Sequence, residues 1–249
     1  MSDPTPYPRF PSEDDVPEGW GRAPEPVPGA TSATPVPAAA SGAPGTPEPL
    51  GVLTTLTAGF AVLYTLLQLP RYWLARDAAD RWTTGAVDGR SPAEFFTPYE
   101  VVDMVGLLVL VGGFVVTCLW LWRARVNVDV LSPTSPQARS RGWVWGGWLV
   151  PVVNLWFPFQ VVRDVLRVRS HHPSSGSRVG WWWGAFIVAN VASGVESLLV
   201  PTDLESTGVG DLPAFAAVST VAWVVAGVLW IRVVRAVAAD QGELLAGRA

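Results

Sequence analysis

Five stretches of about twenty residues, nearly free of charge, follow one another after Pro49, and they constrain the fold more than any other feature. Leu50 to Pro70, Gly142 to Val162 and Leu212 to Ile231 carry no charged residue; Val101 to Trp122 carries only Asp103, and Val179 to Pro201 only Glu196. A bilayer core of about 30 Å is crossed by about 20 apolar residues in a helix. A soluble domain of this size could bury one such stretch but lacks the polar surface to cover five, since charged residues make up only 15% of the chain against roughly 25% in soluble domains. The pattern predicts an all-α, polytopic membrane helix bundle over residues 50–239.

Helix punctuation agrees with these windows. Thr97, Pro98 and Glu100 have the order of an N-cap, a first-turn proline and a capping-box glutamate. Pro49 and Pro213 stand where helices begin, and Pro70 and Pro201 where they are expected to end.

The third window is the ambiguous one. Pro151 and Pro158 each remove a helix hydrogen bond and disfavour helix in the residue before them, and Asn154 lies between them, able to bond carbonyls freed at a bend. All 17 basic residues are arginine, so arginine distribution alone decides topology. If all five windows span, the two sides hold 6 and 11 arginines; if the third returns to its own side, they hold 13 and 4. The positive-inside rule favours the second arrangement: four spans plus a Pro-broken re-entrant or interfacial segment, five spans being the alternative. Nine of the 14 tryptophans (Trp120, Trp122, Trp143, Trp145, Trp148, Trp181, Trp182, Trp183 and Trp230) then fall on the inner side, the headgroup layer that indole rings favour. After Pro158, Val161, Val162, Val165, Leu166 and Val168 oppose Arg163, Arg167 and Arg169, a pattern suited to a helix on the membrane surface. A cytoplasmic extension of a kinked span fits the same residues.

Residues 1–49 are of another kind. Their Pro, Ala, Ser, Thr and Gly offer too little apolar surface to offset chain entropy, so a disordered tail is expected. It is either a solvated tail or a docking segment for a protein partner, with Tyr7, Arg9 and Phe10 as the contact residues. No apolar run marks a signal peptide, which places this tail in the cytoplasm. Residues 240–249 are expected to form a short C-terminal tail, also cytoplasmic, of a multi-pass cell-membrane protein.

Several chemistries are not supported. A net charge of −4 gives no basis for a nucleic-acid partner. Without lysine there is neither a phosphate-binding P-loop nor a Schiff base. His171 and His172 have no cysteine or acidic cluster beside them, and Cys118 lies in an apolar helix, where thiols are inert. No catalytic residue, cofactor or metal site is expected. Gly106, Gly112, Gly113, Gly180 and Gly184, with Ala185 and Ala189, have the spacing of close helix-packing faces.

Ionisable groups inside a membrane pair or face water and mark functional sites. Asp103 and Glu196 both lie towards the outer ends of their windows, with Arg71 just after the first. Arg71 is expected to pair with Asp103 or Glu196 in an outer pocket, with Asn190, Ser193 and Ser197 on a stripe facing the same interior. The competing reading is two acids solvated by headgroups.

Three longer motifs carry a family resemblance. "WLWRARVNVDVL" holds Arg123, Arg125 and Asn127. "RGWVWGGWLVPVVNLWFPFQVVRDV" holds Gly147, Trp148, Pro151, Asn154, Leu155, Trp156, Pro158 and Asp164. With "WWWGAFIVAN", they resemble the actinobacterial membrane family known as domain of unknown function 4328, over roughly Gly51 to Ala239. The resemblance implies a multi-pass membrane protein with no assigned activity and no catalytic residues to carry over. The expected function is that of a non-enzymatic protein that binds a partner or organises the membrane, with the lipid bilayer as its medium; a small transporter or channel-like subunit is the alternative, ahead of a membrane enzyme.

Overall fold

The computed structural model describes residues 46–90, 97–135, 137–167, 174–202 and 208–247. Six helices follow in order: α1 Gly51–Val87, α2 Pro98–Leu131, α3 Trp143–Leu149, α4 Phe157–Leu166, α5 Ser174–Leu199 and α6 Leu212–Ala246. No strand occurs among the described residues. Helices α1, α2, α5 and α6 are each long and apolar enough to cross a bilayer.

The boundaries follow the local chemistry. Thr97 and Glu100 form the expected capping box, with the Thr97 amide donating to Glu100 Oε2 at 2.5 Å. Pro213 opens α6 in its first turn, and α5 stops at Leu199, just before Pro201. Pro70 does not end the first helix: α1 continues through it to Val87. The continuation stays helical because Ala75, Ala78, Ala79 and Trp82 recur at helical spacing and bury one face against Tyr99, Leu212 and Ala216. Beside the Pro70 turn, Thr220 Oγ1 donates to the Gln68 carbonyl at 3.4 Å, as hydroxyls do where proline loosens a membrane helix.

Packing places the four long helices in an open arc. α1 lies between α2 and α6, and α6 in turn carries α5. The third window closes this arc at one end. α3 ends because Val150, the residue before Pro151, is extended (φ −91°, ψ 113°). A short 3₁₀ turn over Val153–Leu155 follows, then α4, which Pro158 opens rather than breaks. The two arms are bent by 112°. The bend lies between Trp143–Leu149 and Val153–Leu166, arms of about 10 and 20 Å, and with that bend their ends are separated by less than the roughly 30 Å of a bilayer core. The third window is thus a sharply bent helical hairpin, set beside four helices long and apolar enough to span a bilayer.

Three further sequence expectations are revised. The apolar stripe of α4 faces protein rather than lipid: Val161, Val162, Val165 and Leu166 are buried in the main core with Trp120, Val128 and Val234. Val168 and Arg169 lie outside the described residues. The tryptophans form less of a belt than expected. Trp122 and Trp181 are exposed, but Trp120, Trp182, Trp183 and Trp230 turn inward, Trp182 stacking on Trp230 at 4.6 Å between centroids and Trp120 standing edge-on to Trp230. Of the glycines, Gly112 and Gly113 receive Phe60 of α1, but Gly180 and Gly184 have open space beside them.

Both ends of the domain also shift. Of the expected tail, residues 1–45 lie outside the described residues, while Glu48 is fastened to the bundle. Residues 240–246 are no tail but the last turns of α6, with Gln241 buried.

Candidate functional site

Arg71 brings the intramembrane acids together. It sits on α1 just past the apolar run, where α2 contributes Tyr99 and Asp103 one helical turn apart. Glu196 comes from the last turns of α5, and Ser219 from the second turn of α6. Arg71 Nε donates to Asp103 Oδ1 at 2.9 Å. Its Nη1 donates to both Glu196 oxygens at 2.9 and 2.8 Å, and its Nη2 meets Asp103 Oδ1 at 2.9 Å and the Tyr99 hydroxyl at 3.2 Å. Ser219 Oγ donates to Glu196 Oε2 at 2.8 Å.

Every N–H edge of the guanidinium is thus occupied, in the fork geometry that suits carboxylates. The expectation named Asp103 or Glu196 as the partner; the geometry gives both. Their surroundings differ, since the Glu196 side chain is 0% exposed and that of Asp103 54%. Glu196 is therefore the anchor of the network, and Asp103 is its member at the surface. Chemically this is a closed anion–cation lock at the end of the bundle far from the hairpin, joining all four long helices.

Asn190 is not part of this lock. It is exposed on α5 and donates to its own helix, Nδ2 to the Phe186 carbonyl at 2.7 Å. Ser197 likewise donates to the Gly194 carbonyl, and Ser193 accepts from Trp223 Nε1 at 3.1 Å. Helical rotation explains the division: Glu196 lies on the face turned to α6, Ser197 is turned outward, and Asn190, though exposed, lines the cavity between the long helices. Tyr99 and Ser219 were missed in the sequence. Tyr99 could have been found from its spacing to Asp103; Ser219 had no local signal, because its place depends on how α5 packs on α6.

The family-motif residues gather at the opposite end. Asn127, fully buried, is the hub: its Oδ1 accepts from the Glu48 amide at 3.0 Å, and its Nδ2 donates to the Glu48 carbonyl and to Gln241 Oε1, both at 2.8 Å. Gln241 Nε2 closes the loop on the Ala124 carbonyl at 3.0 Å. Arg123 pairs with Glu48 at 2.7 Å. Arg125 pairs with Asp129, which also receives Arg141 Nε at 2.6 Å. Asp164 accepts from the Ala138 amide at 2.8 Å and so ties the 132–142 connection to α4.

The hairpin motif residues hold the bend itself. Gly147 allows the two arms to approach, for a Cβ there would stand 3.3 Å from Phe157 Cβ. Trp148 reaches Phe114 of α2 on one side and Trp183 and Phe186 of α5 on the other, its ring centroid 6.0, 6.0 and 5.9 Å from theirs. The Leu155 carbonyl accepts from Trp183 Nε1 at 2.7 Å. Trp156 is exposed and stands edge-on to Phe157. At the bend, Asn154 Oδ1 is buried with no hydrogen-bond partner among the described residues.

Among the described residues no three His, Cys, Asp or Glu side chains gather as metal ligands; His171 and His172 lie outside them. None of the curated proteins and none of the solved structures matches the chain. One family model does match, over residues 96–239. It includes α2 to α6, and with them Asp103, Glu196 and all eleven motif residues, while α1 and Arg71 precede it. A match of that extent shows that the chain belongs to the family described as domain of unknown function (DUF4328).

Proposed function

We propose that this integral membrane protein is a non-enzymatic, multi-pass protein of the cell membrane that binds a protein partner from the cytoplasmic side, through its N-terminal tail and the arginine-bearing segments beside it. The observation that carries the reading is the anchoring of Glu48. The N-terminal segment leaves the bundle from a buried hub, Asn127, that bonds both backbone groups of Glu48 and the α6 residue Gln241. The point at which the N-terminal segment joins the bundle is thereby held by both backbone groups of Glu48.

The orientation rests on charge. With four spans and a hairpin, both termini leave from the same end of the bundle, and that side carries 13 of the 17 arginines. The far-end lock supports a non-enzymatic role, since its carboxylates and guanidinium are engaged with one another.

Proximity crosslinking in native membranes, comparing the full chain with a chain lacking residues 1–45, tests this reading. We expect discrete cytoplasmic adducts on the full chain that the shortened chain loses. Identical adducts from both chains would remove the tail from the function. Solute flux through vesicles containing the purified protein would favour the transporter or channel-like alternative instead.

A further inference from the structure

The outward face of the α1–α6 pair is apolar along most of its length and basic at one end. On α6, Val218, Val221, Val225 and Val228 are exposed and recur every three or four residues. Arg232 and Arg235 continue the same stripe and are exposed as well. They are the first charges after the charge-free run Leu212–Ile231, so on a helix that spans a bilayer they stand where hydrocarbon gives way to headgroups. Beside the stripe runs a groove lined by Thr54, Thr55, Gly59, Val62 and Leu66 of α1 together with Arg235. The register puts Arg235 at the Thr54 end, because Gly227 faces Thr65 and Gln241 meets Glu48 at the Asn127 hub. Gly59 forms the trough of the groove, for a Cβ there would meet nothing within 4 Å. From Thr54 to Leu66 the groove is about 18 Å long, close to the half of a roughly 30 Å core that one leaflet supplies.

Charge selects the occupant. Among the described residues neither Arg232 nor Arg235 has a hydrogen-bond or ion-pair partner. No acid lies between Leu50 and Arg71 on α1 or between Leu212 and Ala239 on α6. The flanking acids are engaged or turned away: Glu48 pairs with Arg123 at 2.7 Å, and Asp240 follows Arg235 by five residues, about 140° around the helix. Two uncompensated guanidinium groups at one end of an uncharged trough are the complement of an anionic amphiphile, whose phosphate suits the arginine fork. Free phosphate would leave the trough over Gly59 and Val62 unused. A choline headgroup would bring its own cation against the two arginines. A second copy related by a two-fold axis would set the same arginines against each other.

We propose that this face binds an anionic phospholipid of the leaflet on the side of the termini, its phosphate held by Arg235 with Arg232 beside it and one acyl chain lying in the trough over Gly59. The site is separate from the Arg71 lock and independent of the cytoplasmic partner.

The test uses the delipidated full chain in detergent micelles and two added lipids with identical acyl chains, phosphatidylglycerol and phosphatidylcholine, counted on the protein by native mass spectrometry. One phosphatidylglycerol should be retained in preference to phosphatidylcholine. Arg235→Gln should weaken its binding about fivefold and remove the preference. Arg167→Gln, at another exposed arginine of the same end, should change neither lipid. Gly59→Leu, whose Cβ meets no neighbour, should fill the trough and weaken both lipids, with the unfolding midpoint of the lipid-free chain preserved. Equal binding of the two lipids, equal effects of Arg235→Gln and Arg167→Gln, or indifference to Gly59→Leu would overturn the proposal. Displacement of phosphatidylglycerol by inorganic phosphate would overturn it as well, as would a dimer that Gly59→Leu abolishes, since a second copy would then cover this face.

Discussion

At the scale of single residues, the lock at Arg71 divides into a costly and a cheap half. Removing Arg71 leaves the fully buried Glu196 with only the Ser219 hydroxyl and an uncompensated charge. Arg71→Gln should therefore destabilise the bundle by about 3–5 kcal/mol, whereas Asp103→Asn, at an exposed side chain, should cost under about 1 kcal/mol. Reversible unfolding in mixed micelles measures both, and adding Glu196→Gln to Arg71→Gln should restore part of the loss. Strict additivity in that double-mutant cycle would show that the two groups do not interact. A second residue-scale expectation concerns Gly227, where a Cβ would stand 2.3 Å from Thr65 Oγ1. Gly227→Ala should cost about 1–3 kcal/mol by overpacking, and Thr65→Ala should rescue it, because the clash is with that hydroxyl and the nearest backbone atom is 3.8 Å away. Neither Gly227 nor Thr65 was visible in the sequence as a contact, since each lies in an unremarkable apolar run and only the α1–α6 register joins them. The Arg71 cluster was visible, because charges in such runs are rare enough to be matched with one another.

At the scale of elements, what was legible depended on whether one residue type forces the backbone. Pro151 fixed the end of α3 through Val150, and Thr97, Pro98 and Glu100 fixed the start of α2; both are local effects. Pro70 was read as a stop and is not one, because an alanine face beyond it finds a partner surface that no local pattern discloses. The character of α4 was misjudged for the same reason: an apolar stripe of Val161, Val162 and Val165 fits a lipid surface and a protein core equally well, and only the return of the hairpin presents it to α2 and α6. The hairpin itself makes a sharp expectation. Arg141 precedes α3 and Arg167 follows α4. Single cysteines at these two positions, in a Cys118→Ala background, should become accessible to an impermeant thiol reagent from the same side of the membrane. Labelling from opposite sides would make the segment a fifth span, with 11 and 6 arginines across the membrane. Straightening the bend by Pro151→Ala should not move Arg167 across, since Trp148 packs on α2 and α5, Trp183 of α5 holds the Leu155 carbonyl, and Val161, Val162 and Val165 of α4 are buried in the core.

At the scale of the whole molecule, the two ends of the bundle are stabilised differently, and this separates the chain into dispensable and indispensable parts. The far end is closed by one ion-pair lock and a small alanine-rich core. The end from which both termini leave is closed by the larger aromatic core and by the Asn127 hub, which joins the N-terminal segment, α2 and α6 across 79 and 114 residues of sequence. The composition of residues 1–45 predicts a segment that buries nothing, so deleting them should leave the unfolding midpoint unchanged. Deleting as far as Pro49 is different. It removes Glu48, and Asn127 then keeps only Gln241 while its Oδ1 is left buried without a donor; such a loss costs about 1–3 kcal/mol. We therefore expect a step in stability between truncations beginning at Thr46 and at Leu50, and none between the full chain and Thr46, as followed by thermal unfolding in detergent. Asn127→Ala in the full chain should reproduce the step and make the later truncation neutral. If stability instead declined evenly along the series, the N-terminal segment would be held by many weak contacts rather than by this hub, and the fixed exit of the tail, on which partner presentation depends, would be lost with it.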